Sequence, residues 1–549
     1  MSNIAAFVLA FVLAACVDHR SNAVADNGGT LVISATADPG TLFPPILVTT
    51  QAKQITEQIY DYLADVGPEM NTRGDRYFRP ALSDSWRWSA DSLSIAFHIN
   101  PHARWHDGKL VTARDVRFTF ALYRQPELAA SVRSELDNID SVTAADSLTP
   151  VFWFAKRSPT QFLDAAAQML VLPEHQLERL SVRSLREIST PPVGTGRFRL
   201  RRWERGSSVE IVADSSNYRG RPKLDRVIWT ISPDFPTAVT KLLNGSADVF
   251  DALRLENLTD LKRQQNLRTI VIPATDYAFL LFNLRDPRNP THSHPLFGDP
   301  NVRRAITMAI DRVALVRNVF DTIASVPVGP IVRAFPTTDP ATPQIPFDST
   351  RARVILDSLG WLRQGTNGIR ARGGIELAFT VLVPIASLNR QRMAVLLQEQ
   401  LRKAGVAMRI EQVDASALVF KLTSRQFDAA MYAWHLGASP DGTKTAWTKA
   451  GWGKDGVNYG SYDNPIFDAE LDSALDADPD HARELFTRAF ATINQDAPAV
   501  WLYEPKTIIG IHKRIRIGEL RPDAWWIDLG SWHIPPSARL LRDRLKGGS

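Results

Sequence analysis

Cysteine is almost absent from this chain: one, Cys16, in 549 residues. A lone thiol excludes an internal disulfide framework and any cysteine-rich zinc site. No charge of one sign dominates. Sixty-four Lys and Arg stand against 59 Asp and Glu, and the excess of +5 gathers into no dense basic stripe, which argues against a nucleic-acid binder. No apolar run reaches the ~20 residues that a membrane-crossing helix needs. The signatures G-x-S-x-G, H-E-x-x-H and the P-loop are missing. Gly194-Thr-Gly196 lacks the third glycine and the following helix of a dinucleotide fingerprint, because Phe198-Arg-Leu200 reads as strand. No internal repeat of fixed period is present. What remains is an ordinary globular composition, 44% hydrophobic and 22% charged, which excludes wholesale disorder. The length suggests three or four structural units at ~150 residues each.

The position of the single cysteine is informative. It closes the apolar run Ile4–Ala15, which has the length of a signal-peptide h-region. Leu13-Ala14-Ala15-Cys16 resembles the lipobox of bacterial lipoproteins, and the resemblance implies a diacylglycerol on the Cys16 thiol. Two or more acyl chains hold a protein on a membrane stably, whereas one does so marginally. Met1-Ser2-Asn3 departs from the pattern in carrying no Lys or Arg. Residues 1–15 are thus expected to be a signal peptide. Residues 16–29, polar and rich in small side chains, read as a flexible tether. The body should stand outside the cytoplasmic membrane.

Strand and helix patterns intermix along the chain, giving an α/β class. Leu93, Ile95, Phe97 and Ile99 alternate with polar or small residues, as in a half-buried strand. Thr112 and Asp115 open a helix. Tyr277–Asn283 is a near-continuous apolar strand, the pattern of burial on both faces. Asp299-Pro300 starts a helix whose apolar face is expected to run from Val302 to Val313. The strand Phe379–Val383, a helix capped by Asn389 and ended by Gly405, and the strand Val406–Ile410 make a βαβ unit, hence parallel pairing. Phe427–Trp434 is a further strand, and helices are expected near 466–477 and 480–494. The stretch 520–549 has no clear place.

Several blocks, in collinear order over roughly 31–510, resemble the family 5 solute-binding proteins of bacterial ABC importers. They are Pro80-Ala-Leu-Ser-Asp-Ser-Trp86, Ala103-Arg-Trp-His-Asp-Gly108, Val111-Thr-Ala-Arg-Asp-Val116, Val193-Gly-Thr-Gly196, Asn217-Tyr-Arg-Gly220, Asn301-Val-Arg-Arg-Ala-Ile306 and Asn458-Tyr-Gly-Ser-Tyr462. The resemblance implies a two-lobed periplasmic-binding-protein fold with a further domain inserted in the first lobe. It places 30–75, 190–276 and 499–549 in lobe I, 76–189 in the insert and 277–498 in lobe II, with crossovers at 277–283 and 498–504. It also implies a lipid-anchored monomer that closes on a peptide-like solute and presents it to the permease subunits of an ABC transporter. Neither cofactor nor catalytic residue is called for.

By the same resemblance the ligand lies beside Tyr432-Ala433-Trp434-His435, pairing through backbone hydrogen bonds that read length rather than sequence. Asp38 and Thr41, in the loop Thr36–Thr41, would complete the cleft from the opposite lobe. Trp434 falls on the family's pocket tryptophan, although core packing is the plainer role for an aromatic. The chain departs from the peptide receptors three residues later. They carry an Asp that pairs with the ligand's α-amino group; this chain has Gly437. A buried ammonium without a carboxylate is costly, so either Asp441 or Asp38 substitutes or the ligand has no free amine. A metal chelate, an opine or an oligosaccharide therefore stays open beside a peptide, and an extracytoplasmic chaperone or a secreted hydrolase stands further off. His98, His102, His106 and Asp107 crowd one stretch but share no evident focus, so no metal site is assigned. Trp447, Trp452, Tyr459 and Tyr462 follow the pocket strand and either wall the cleft or pin a loop by packing.

Overall fold

The computed structural model describes residues 27–188, 190–363, 368–453 and 456–544. Cys16 and the apolar run before it lie outside the described residues. Two sheets joined through one strand organise the molecule. In the first, Thr30–Ala35 runs parallel to Arg226–Ile231, which continues into the antiparallel strands Ser208–Ala213 and Phe198–Glu204. In the second, Ala378–Pro384 lies between Ala407–Val413 and Ala429–His435, parallel to both, and Asp276–Phe282 pairs antiparallel with Ala429–His435.

The joining strand is Ala499–His512, fourteen residues long and about 45 Å at strand rise. Its first part pairs with Asp276–Phe282, through Leu281 with Ala499 and Ala278 with Tyr503. From Lys506 onward it pairs instead with Leu267–Pro273, and Ile511 also with Val249. The outward crossing is the short link Ala274–Thr275 between two strands. The return crossing falls inside Ala499–His512, near Glu504–Lys506. The strand 277–283, expected as a crossover, is instead an interior strand of the second lobe. Its alternate residues feed two separate cores: Ala278, Leu280 and Phe282 pack on one side, Tyr277, Phe279 and Leu281 on the other. That double burial is what its unbroken apolar sequence specifies.

The insert is a four-stranded antiparallel sheet, ordered Ser83–Trp88, Ser94–Ile99, Pro150–Phe154, Ile139–Ala144, and shares one hydrophobic core with lobe I. The βαβ unit forms as read, with Leu388–Lys403 as its helix, but Ser387 rather than Asn389 caps it by accepting from the Arg390 N–H. The helix begun by Asp299 ends at Met308, and a second starts at Arg312, so Val313 is 71% exposed instead of continuing the apolar face.

The C-terminal stretch that resisted reading is tied into lobe I. Trp525, Trp526 and Trp532 are buried in its core. Arg514 bridges Asp248, Asp543 and the Thr30 carbonyl inside the protein. Among the described residues no helix is long and apolar enough to cross a membrane.

Candidate functional site

A cavity of about 1170 Å³ lies between lobe I, the insert and lobe II. Its lobe I wall is the helix Thr50–Ile59, capped by the Thr49 hydroxyl accepting from the Ala52 N–H at 3.1 Å. The C-terminal stretch holds this helix from behind. The Trp526 indole donates to Glu57 at 2.6 Å, and Gln58 donates to the Trp526 carbonyl at 3.0 Å. Trp525 and Gln54 both donate to Asp251. With its inner face fixed, the helix turns Lys53 toward the cavity, 3.8 Å from Glu57. Arg521, Asp523 and Ile527 of the same stretch also line the cavity. Sequence reasoning missed all of these; the Trp-Trp pair was the one available signal that the tail is structural.

The insert contributes Glu135, Leu163 and Asp164, and lobe II contributes His435 through Ser439 with Asp441 and Lys444. Burial pushes the carboxyls of Asp164 and Asp441 above the usual carboxylate range, and each is raised further by acidic neighbours that include Glu135. Asp441 Oδ1 is buried and has no hydrogen-bond partner among the described residues. Arg73 is the cation whose field reaches it.

The expected ligand residues divide into three groups. His435, Gly437 and Asp441 line the cavity. Tyr432, Ala433 and Trp434, on the strand that ends at His435, are half-buried and not among its lining residues. There the Trp434 ring stacks on Tyr459 at 5.9 Å and meets Tyr432 edge-on at 5.0 Å. Asp38 and Thr41 do not line it. Asp38 accepts from the Gly206 and Gly40 N–H groups and from the Trp203 indole, and Thr41 accepts from the Phe43 N–H. A local turn bond to Gly40 and long-range bonds from Trp203 and Gly206 engage the Asp38 carboxylate, and a local turn bond engages Thr41. Of the later aromatics, Trp447 and Tyr462 are buried in the lobe II core, with Trp447 donating to the Tyr277 hydroxyl at 2.8 Å.

The pocket strand is incompletely paired. On one side Ala429–His435 pairs along its whole length with Asp276–Phe282. On the other, Ala429 and Ala430 pair with Val381 and Leu382, and beyond them no described strand pairs. Past Ala430, then, no described strand pairs on this side; Met431 is buried, Tyr432 to Trp434 are half-buried, and the strand ends at the cavity with His435.

The histidines do other work. His98 pairs with Asp84, and His175 with Asp107. The Nε2 of His106 donates to the Gly196 carbonyl at 2.9 Å, and its Nδ1 accepts from the Gly194 N–H at 3.2 Å. Among the described residues no cluster of three potential metal ligands exists. Gly194 and Gly196 belong to a close backbone crossing: a Cβ on either would lie 1.8 or 2.3 Å from the carbonyl oxygen of Ile59 or Gln58.

Comparison with known proteins supplies a context for this geometry. Residues 78–456 match the family described as bacterial extracellular solute-binding proteins, family 5. The chain is 26% identical over 545 residues to the oligopeptide-binding protein AppA of Bacillus subtilis, covering 95% of this chain and 97% of the relative. It is 28% identical over 283 residues to a putative ABC transporter peptide-binding protein of Brucella ovis, about half of each chain. The solved structure of the Bacillus subtilis protein with a nonapeptide superposes with a TM-score of 0.74 at 24% identity, over 92% of this chain and 99% of that one. A Campylobacter jejuni protein, NikZ, in complex with Ni(L-His) gives 0.75 at 22% identity, over 93% and 99%. These likenesses establish the two-lobed fold.

Proposed function

The chain belongs to the bacterial extracellular solute-binding proteins, family 5, and from that membership we propose that it is a receptor that captures a peptide or peptide-like solute between closing lobes and passes it to the permease of an ABC transporter. The observation that carries this reading is the strand side left without a strand partner beyond Ala430, among the described residues, in a strand that ends at an interlobe cavity with His435. An extended peptide completes such an edge with main-chain hydrogen bonds, which are indifferent to its side chains. The volume, slightly above the ~300–1,000 Å³ of small-molecule pockets, suits a ligand of several residues. The two relatives whose names record peptide binding support the same choice.

Ligand contacts both lobes only when they are together, so binding shifts the open–closed balance toward the closed form that the permease meets. On this reading the solute leaves unchanged. We assign Cys16 as the lipid-bearing residue that tethers the body to a bacterial membrane, and the working unit as a monomer. Gly437 favours a second reading, a solute without a free amine, because a carboxylate is absent at the position where peptide receptors carry one. Mass spectrometry of whatever is released from the purified, then denatured, protein decides. Recovery of peptides supports the first reading, a chelate, opine or oligosaccharide supports the second, and turnover of candidate solutes refutes both.

A further inference from the structure

A short segment of lobe I reaches into lobe II. Between the paired strands Ala64–Val66 and Phe78–Pro80 the chain makes a loop closed at its base by the Gly67 N–H donating to the Tyr77 carbonyl at 3.0 Å. Its tip, Met70–Arg73, is buried in the other lobe. Met70, in the left-handed region at φ 52°, packs in the lobe II core with Phe467, Leu471 and Phe486 in the same cluster. Thr72 donates to the Ala438 carbonyl on the cavity wall at 3.3 Å.

Arg73 is 1% exposed. Its Nε donates to the Ala477 carbonyl at 3.0 Å and its Nη2 to the Leu475 carbonyl, and its guanidinium lies 5.6 Å from the Phe486 ring centre. These carbonyls end the helix Pro465–Asp476, where the helix dipole favours a cation. Burial lowers the Arg73 pKa, while the fields of Asp441, Asp476 and Asp478 oppose that. Arg73 Nη1 and Asp441 Oδ1 are both buried and both without a hydrogen-bond partner among the described residues.

The next residues are fixed to the other body. The Gly74 N–H donates to the Pro159 carbonyl of the insert at 2.7 Å, and the Asp75 carboxylate accepts from the indoles of Trp86 and Trp88 at 2.9 and 3.1 Å. Neighbouring Cα atoms are about 3.8 Å apart. One peptide bond thus separates an anchor in lobe II from an anchor in the insert, and the loop has almost no slack at this edge of the cleft. A cleft that opened about the crossings at 274–275 and 504–506 would have to separate these two anchors. Withdrawing a side chain and the loop tip requires no unfolding of the strands at the root.

We propose that Met70–Arg73 is a closure latch, docked in lobe II when the cleft is shut and withdrawn when it opens, with Arg73 as the positioning residue that sets the balance between the two states. It rests on the receptor reading above. Its place beside Ala438 and Asp441 puts the latch against the same turn that lines the cavity, so a ligand that orders this turn steadies the socket.

The test is the distance between spin labels on the full chain with Cys16→Ser, at Arg183→Cys in the insert and Ile466→Cys in lobe II, both exposed. The background with Arg73 intact should show a mixed distribution without ligand that shortens on adding a randomised nonapeptide library. Arg73→Ala should raise the ligand-free open-to-closed ratio about tenfold or more, the effect of losing charge-assisted hydrogen bonds that only the closed state makes, and saturating library should restore the short distance. Arg73→Lys, which keeps the charge but not the fork, should fall between. Unchanged ligand-free distances in Arg73→Ala, even with a lowered melting midpoint, assign Arg73 to packing alone and overturn the latch. Should Arg73→Ala fail to fold, the same criterion applies to Arg73→Lys. If distances in the background protein ignore the library altogether, lobe closure is refuted first and the latch falls with it.

Discussion

Arg514→Met removes the clamp that holds the C-terminal stretch on lobe I, and its cost can be worked from the contacts. Asp248 is 0% exposed and receives the Arg514 Nε at 2.8 Å and Nη2 at 2.9 Å. The third guanidinium nitrogen reaches Asp543 at 2.6 Å. Breaking one partner of a buried pair costs about 3–5 kcal/mol, mostly because the other charge is left behind. Asp248 would keep the Arg542 guanidinium at 2.6 Å and the Val32 N–H at 3.0 Å, which places the expected loss near the lower bound, about 3 kcal/mol. Asp543, whose side chain is 0% exposed and whose ion pair is with Arg514, is the carboxylate left without a cation, so Asp543→Asn added to Arg514→Met should recover about 1 kcal/mol. Urea unfolding followed by tryptophan fluorescence reads this directly, since Trp525, Trp526 and Trp532 lie in the affected core. The same substitution should weaken ligand capture, because the tail carries Arg521 and Asp523 to the cavity. A loss below about 1 kcal/mol, or a double variant no better than the single, refutes the argument that the buried carboxylates depend on this arginine.

Two further outcomes follow from the site. Burial holds the His106 pKa below the ordinary histidine value of 6.5, and its Nδ1 must stay unprotonated to accept from Gly194; the unfolded chain takes up a proton that the folded one refuses, so this contribution is present above about pH 6.5 and fades as pH falls. His106→Gln should therefore flatten the drop in melting midpoint between pH 7.5 and 5.5, and an unaltered drop would show that His106 does not titrate with unfolding. At Gly437 a Cβ would meet nothing within 4 Å, so Gly437→Asp is accommodated and, if the missing amine clamp is the only deficit, should tighten free-amine peptides by about tenfold while leaving N-acetylated ones unchanged, the worth of one charge-assisted contact. Calorimetric titration checks it: free-amine peptides that already bind tightly while acetylated ones do not, with no gain in the variant, would show that this chain recognises the amine by another group.

Patterns of period two and of helical spacing were enough to place most elements, because each depends on neighbours a few residues away. The double-sided burial of Asp276–Phe282 was legible for that reason, and so was the βαβ unit. Asp38 and Thr41 were placed in the cleft by the resemblance alone; the structure engages Asp38 with Trp203 and Gly206, which no local pattern announces, and Thr41 in a local turn bond to Phe43. The helix break at Met308 was missed since Val302 and Val313 keep the apolar spacing across it.

By itself the sequence determined the class of fold and the family, through segments that are locally specified and collinear. It determined too that position 437 carries no carboxylate. Only the tertiary structure decided where the return strand changes partners, that a tryptophan-rich tail braces the cleft helix, and that Arg73 crosses from one lobe to the other. Each of these joins residues hundreds of positions apart: the strand and Arg73 through backbone groups, which are the same in every residue, and the tail through Glu57 and Asp251 as well as a carbonyl, partners that the fold brings to it from more than 250 positions away, so no local side-chain pattern announces them.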